Sequence, residues 1–231
     1  MATLTPTAAT GARSTPVEMT YIDPARQIGD GEREGFLEGS GLNGAFVADL
    51  LSDMTAHERA GAMLYRSVAQ RTHNPVLEER YRHFGDETTE HVDVLEGLIG
   101  ELGGDPGYVS PAARATEKSG LGLVESTFLL SGSVDLMTQE LVMLDAVLLA
   151  ETKDQANWAA LSTLAGELPD GDVRAAFQRA IDQVVPREDE HLAWARDMRA
   201  RLIRTQAKSG TMAKMGAKAE EMIARIRGLL D

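Results

Sequence analysis

One hundred residues separate two copies of the same helical face. Adding one hundred to the numbers of Leu77, Tyr81, Phe84, Leu95, Leu98 and Leu102 gives Phe177, Ile181, Val184, Ala195, Met198 and Leu202. With positions 88 and 91 and their partners 188 and 191, both sets step by four and three residues in alternation, the spacing of a seam that faces the inside of a helix bundle. Alternating β-branched runs that would signal strands are absent. The expected fold class is therefore all-α.

Punctuation divides this pattern into helices. A first helix is expected over about Asn43 to Arg71, with Leu50, Leu51, Met54, Gly61, Leu64, Tyr65 and Val68 on one face. Asn74 and Pro75 supply an N-cap and a first helical residue for the second, which closes at the glycine pair 103–104. A long connection begins with residues 105–115 and continues through a short helix from Leu121 to Leu130 and a break at 131–133. A third helix follows over about Val134 to Leu164, and a fourth over Asp172 to Thr205 with Pro186 inside it. The reading gives an extension over residues 1–42, flexible in its first twenty, a helical domain over 43–205, and an amphipathic helix over 206–231 carrying Met212, Met215, Met222, Ile223 and Ile226 on one stripe.

Polar residues interrupt the stripes at matched places. His91 and His191 occupy equivalent seam positions, and Glu188 lies three residues before His191, on the same helix face. On the first helix Glu58 falls within the apolar stripe, seven residues before Tyr65. On the third, Glu151 does the same, seven residues before Trp158, with Glu140 as a competitor three turns earlier. Each half thus reads as an interior Glu with an aromatic one heptad later, then an interior His beside an acid. Burying such groups unpaired would cost several kcal/mol, about 1–3 kcal/mol for each unsatisfied group. A cation removes that cost. The first half departs from the pattern at Thr88, where the second has Glu188; Glu87 and Glu90 are the nearest acids, and Glu87 has the more apolar surroundings. His57, His73 and His83 read as surface residues, and Trp158 and Trp194 as packing residues.

With no cysteine in the chain, thiolate ligands are excluded, so a metal must be held by oxygen and imidazole. Carboxylates with neutral imidazoles suit iron or manganese. A formal net charge of -13 argues against nucleic acid and anionic membranes as partners. No apolar run approaches the length of a membrane span, and the N-terminus lacks the pattern of a secretory signal, so the expected location is cytoplasmic.

On these motifs, over roughly residues 43–205, the chain resembles the ferritin-like superfamily of di-iron carboxylate proteins, in particular small bacterial stress-response members. The resemblance implies an up-down four-helix bundle with a long crossover between helices two and three. It implies two iron ions, or manganese, held by Glu58 and Glu151 as single-helix ligands, by Glu188 with His191, and by His91 with Glu87, the two single-helix acids bridging. Tyr65 stands where many members carry a tyrosine behind the first ligand. The implied chemistry is oxidation of ferrous iron or reduction of O2 or H2O2. A di-iron hydroxylase of an organic substrate is the alternative, to be favoured by a substrate-sized apolar pocket at the site. A metal-free structural protein is another. Self-association is expected, with the C-terminal helix as one contact. The missing cysteines exclude the rubredoxin-type iron site that rubrerythrins append to this fold.

Overall fold

A computed structural model describes residues 35–129 and 134–208, and the chain folds there into five helices with no strand among the described residues. The all-α expectation holds. They are α1 (Gly44–Arg71), α2 (Pro75–Glu101), α3 (Pro111–Ser126), α4 (Leu136–Glu167) and α5 (Asp172–Lys208).

The helix ends follow from local chemistry. Asn43, Asn74, Ser110 and Asp135 each accept a backbone N–H of the first turn with the side chain, and Pro75 and Pro111 sit where a missing N–H costs nothing. At the end of α2 the amide of Gly104 donates to Ile99 and that of Gly103 to Gly100, a pairing that needs the left-handed φ of 81° at Gly103.

Short turns join α1 to α2 and α4 to α5, and both pairs pack along their lengths. Between them, α1 packs on α4 and α2 on α5, so the four long helices close a ring in the order α1, α2, α5, α4. Cross-contacts give the directions. Thr72, Tyr65 and Glu58 of α1 meet Glu140, Glu151 and Trp158 of α4 in turn, an antiparallel pairing. In chain order the long helices therefore run up, down, down, up, where the sequence reading expected up-down order.

Helix α3 provides the return. It lies along α1, from Ser110 beside Asp49 and Ser52 to Thr127 beside Ser67 and Arg71. At Gly120 an added Cβ would stand 2.5 Å from the Cβ of Ala60, so only glycine allows this approach. The sequence reading placed loop over 105–115 and a helix from Leu121; the helix instead starts at Pro111, because Ser110 and Pro111 form an N-terminal cap there. Helix α4 begins two residues later than expected, at the Asp135 cap, and runs on to Glu167. Order also precedes Asn43. Leu37 is buried against Val47, Leu51 and Ile99 by a turn over 36–40, so the expected extension ends earlier than residue 42. Residues 1–34 and the expected C-terminal stripe beyond residue 208 lie outside the described residues.

Two apolar clusters fill the interior. One gathers Tyr65, Val68, Tyr81, Phe84, Leu144, Val147 and Met198, the other Val47, Leu51, Met54, Leu95, Trp158, Phe177 and Val184. Each inner helix face passes from one cluster to the other, and at every crossing it carries a polar residue. Glu58 lies between Met54 and Leu64, His91 between Phe84 and Leu95, and the Glu188–His191 pair between Val184 and Ala195. No described helix is long and apolar enough to cross a membrane.

Candidate metal centre

The polar layer contains five of the six acids and histidines expected from the sequence. Glu58, His91, Glu151, Glu188 and His191 are each at most 2% exposed. They form two trios, Glu58 with His91 and Glu188, and Glu151 with Glu188 and His191, in which the donor atoms lie within 4.8 Å of one another. Glu188 belongs to both. The two imidazoles are stacked with ring centres 5.8 Å apart.

Distances show how the trios share Glu188. His91 Nδ1 is 2.6 Å from Glu188 Oε1 and 3.7 Å from Glu58 Oε2. His191 Nδ1 is 3.6 Å from Glu151 Oε2 and 3.7 Å from Glu188 Oε1. None of these approaches is aligned as a hydrogen bond: Glu58 Oε2, Glu151 Oε2, both Glu188 oxygens, both His91 nitrogens and His191 Nδ1 are buried without a hydrogen-bond partner. Native interiors keep only a few such groups, and seldom several in one place. Seven such atoms belong to these five side chains, each of which offers one donor atom to a trio.

The remaining oxygen of each outer acid is tied down, and in a crossed pattern. Tyr65, one heptad after Glu58, donates its hydroxyl to Glu151 Oε1 at 2.7 Å. Trp158, one heptad after Glu151, donates its indole N–H to Glu58 Oε1 at 2.9 Å. Each aromatic thus fixes the acid of the opposite helix and leaves one oxygen of it turned to the centre. The heptad spacing marks both aromatics; Trp158 packs in the core as expected and in addition holds Glu58.

Glu87 is not in either trio. It is partly exposed, and its Oε2 lies 3.0 Å from His191 Nε2, on the far side of the ring from Glu151 and Glu188. It thereby holds the imidazole with Nδ1 facing inward, and its own neighbours outward are His83 and Arg187. Glu90 is exposed and paired to Arg187 at 2.6 Å. Thr88, the seam residue of the first half, is buried but bonds its own helix at the Phe84 carbonyl. Each of Glu58 and Glu151 is in one trio, and Glu188 is common to both.

Other expectations change for identifiable reasons. Glu140 lies away from the centre, accepting from the Thr72 hydroxyl at 2.7 Å and the His73 amide at 2.9 Å, which fixes the turn between α1 and α2. His57, read as a surface residue, is 4% exposed because α1 has neighbours on three sides. Its Nε2 is 3.1 Å from the Ala150 carbonyl and 3.4 Å from Asp154 Oδ2. Asp154, buried three residues after Glu151, was missed altogether; the i, i+3 spacing was the available signal.

Burial dominates the protonation states. It pushes the carboxyls of Glu58 and Glu188 well above the usual range, with the neighbouring Asp154 charge adding to the effect in both. Burial likewise lowers His91 to about 4, with repulsion from His191 in support. For His191 burial acts downward, but Glu151 and Glu87 outweigh it and raise the imidazole. The Tyr65 hydroxyl is raised well above its ordinary value by burial and by Glu151, so it stays a donor.

A groove of about 600 Å³ between α4 and α5 reaches this layer, with Trp158 and Glu188 in its wall beside Ala156, Ala159 and Val185. Gln155 Nε2 donates to Asp189 Oδ1 at 3.0 Å, linking the two helices at this groove. Comparison with protein-family models, with curated proteins and with solved structures finds no match for this chain.

Proposed function

We propose that this chain is a ferritin-like four-helix protein whose buried layer holds two iron or manganese ions, and that it oxidises ferrous iron or reduces O2 or H2O2 there. The observation that carries the reading is the division of free donor atoms. Glu188 has two oxygens without a hydrogen-bond partner between trios that each offer one further carboxylate oxygen and one imidazole nitrogen. A carboxylate so placed can bridge two ions, and the donor set of oxygen and imidazole matches iron and manganese.

The bound ions would supply the exchange of single electrons with the substrate. The side chains supply the rest. Tyr65 and Trp158 hold the outer acids in one rotamer, which keeps the ligand geometry preorganised. The two apolar clusters above and below exclude water, and Glu87 fixes the tautomer of His191 with Nδ1 free for an ion. Ferric iron formation on mixing with ferrous iron and air, followed by near-ultraviolet absorbance, tests the activity. Wild-type protein should outpace iron in buffer, and Glu188→Ala with His191→Ala should not; equal rates would contradict the proposal.

The groove beside Glu188 and Trp158 favours a second reading, a di-iron hydroxylase acting on an apolar organic molecule. Filling it with Ala156→Trp separates the two. Loss of organic turnover with ferrous oxidation intact supports the hydroxylase, and no turnover of organic substrates by wild-type protein opposes it.

A further inference from the structure

We infer that Asp154 is an additional carboxylate ligand of this centre, serving the Glu58–His91–Glu188 trio in place of the acid that Thr88 does not provide. The inference rests on the two-ion reading above. Two divalent ions carry four positive charges, and the trios together contain only three carboxylates, Glu58, Glu151 and Glu188. Asp154 is 2% exposed, and its Oδ1 is buried with no hydrogen-bond partner. The other oxygen, Oδ2, is turned to His57 Nε2 at 3.4 Å, so one side of the carboxylate is oriented and the other is left over. The contact is longer than the hydrogen bonds of 2.7 and 2.9 Å by which Tyr65 and Trp158 hold Glu151 and Glu58, because His57 Nε2 also meets the Ala150 carbonyl at 3.1 Å.

Its position on α4 is consistent with this role. Asp154 lies three residues after Glu151 and four before Trp158, so all three share the face that meets α1. Its carboxyl stands beside that of Glu58, near enough for the two acids to share one proton. Two acids pressed together in an apolar interior need a proton or a cation between them. Thr88 cannot serve, because its hydroxyl is spent on the Phe84 carbonyl and its methyl packs toward Gly61. The ligand lost from α2 is thus recovered from α4, giving Glu151-x-x-Asp154 where the repeat would have had a second Glu-x-x-His.

Titration of the ion-free full chain with cobalt(II) under anaerobic conditions, read by visible absorbance and by equilibrium dialysis, tests this. Wild-type protein should bind two ions per chain. Asp154→Asn, which keeps size and shape, should bind one ion with unchanged affinity and the second more than about tenfold more weakly. Adding Thr88→Glu to that variant should bring the second ion back. Two ions bound by Asp154→Asn at wild-type affinity would overturn the assignment and leave the two-ion centre standing. No cobalt bound by the wild-type chain would overturn the centre itself. A circular dichroism melt of each ion-free variant guards against loss of fold. If Asp154→Asn is unfolded, Asp154→Glu, which keeps the carboxylate, carries the test: an altered cobalt spectrum is expected, and an unchanged one overturns the assignment.

Discussion

Replacing Glu188 by methionine should make the ion-free protein more stable. Methionine has nearly the same length and helix propensity, so the change removes two oxygens and little else. Both oxygens are buried without partners, and such a group costs about 1–3 kcal/mol when left unsatisfied. Burial raises the acid well above the usual carboxylate range, which lessens the cost of a bare buried charge. A gain of about 2 kcal/mol follows, and for a chain of this size about 2–4 °C in Tm accompanies each kcal/mol, giving a rise of about 4–8 °C. In saturating metal the order should reverse. At an ion concentration one hundred times Kd, binding adds about 2.7 kcal/mol per site to the wild type, and the variant lacks the acid common to both trios. Thermal melts with chelator and with manganese(II) read both halves. If Glu188→Met melts at or below the wild type in chelator, the carboxyl is a satisfied structural group and the reasoning fails.

Other outcomes follow from the same geometry. Tyr65→Phe and Trp158→Phe each free one oxygen of an outer acid and should weaken ion binding by similar factors, about 10- to 100-fold in a cobalt titration; an effect from only one would break the crossed equivalence. Ion binding must displace the protons that burial keeps on Glu58 and Glu188, so affinity should climb with pH and loading should release protons, measurable by calorimetry in buffers of different ionisation enthalpy. Ion-free stability should fall as pH rises above 6.5. The raised His57 and His191 lose their contribution as pH rises from 6.5 through their folded values, and the raised Glu58 and Glu188 act in the same sense as pH rises from the ordinary carboxylate range through theirs. His91, lowered to about 4, opposes this only between about 4 and 6.5, so a Tm in chelator that rises from pH 6.5 to 9 would contradict the assignments. Gly120→Ala should cost about 1–3 kcal/mol in a denaturant melt despite better helix propensity, because the new Cβ meets Ala60 at 2.5 Å.

Helix identity and the polar layer were legible because both are periodic. A seam of eight positions repeated at an interval of one hundred residues fixes which face is inside, and any acid or imidazole on it stands out. Glu58, His91, Glu151, Glu188 and His191 were found this way. Periodicity says nothing about which helix lies across from which, and the misses have that origin. Glu87 shares the inner side of α2 but meets the outer nitrogen of His191, a fact of the α2–α5 pairing. A four-helix ring leaves the His57 side of α1 open, and α3, which starts at the Ser110–Pro111 cap, closes it. Trp158 donates to Glu58 only because α1 and α4 run antiparallel at matched height. The sharing of Glu188 likewise depends on the distance between two trios, which no single helix carries.

Anaerobic ferrous loading followed by desalting and metal analysis tests the central claim most directly. The account predicts about two iron per chain in the wild type and loss of both from Glu188→Ala with His191→Ala, since that pair removes the acid common to both trios and one of the two imidazoles. A wild-type chain that retains no iron, or a double variant with unchanged iron content, would contradict it.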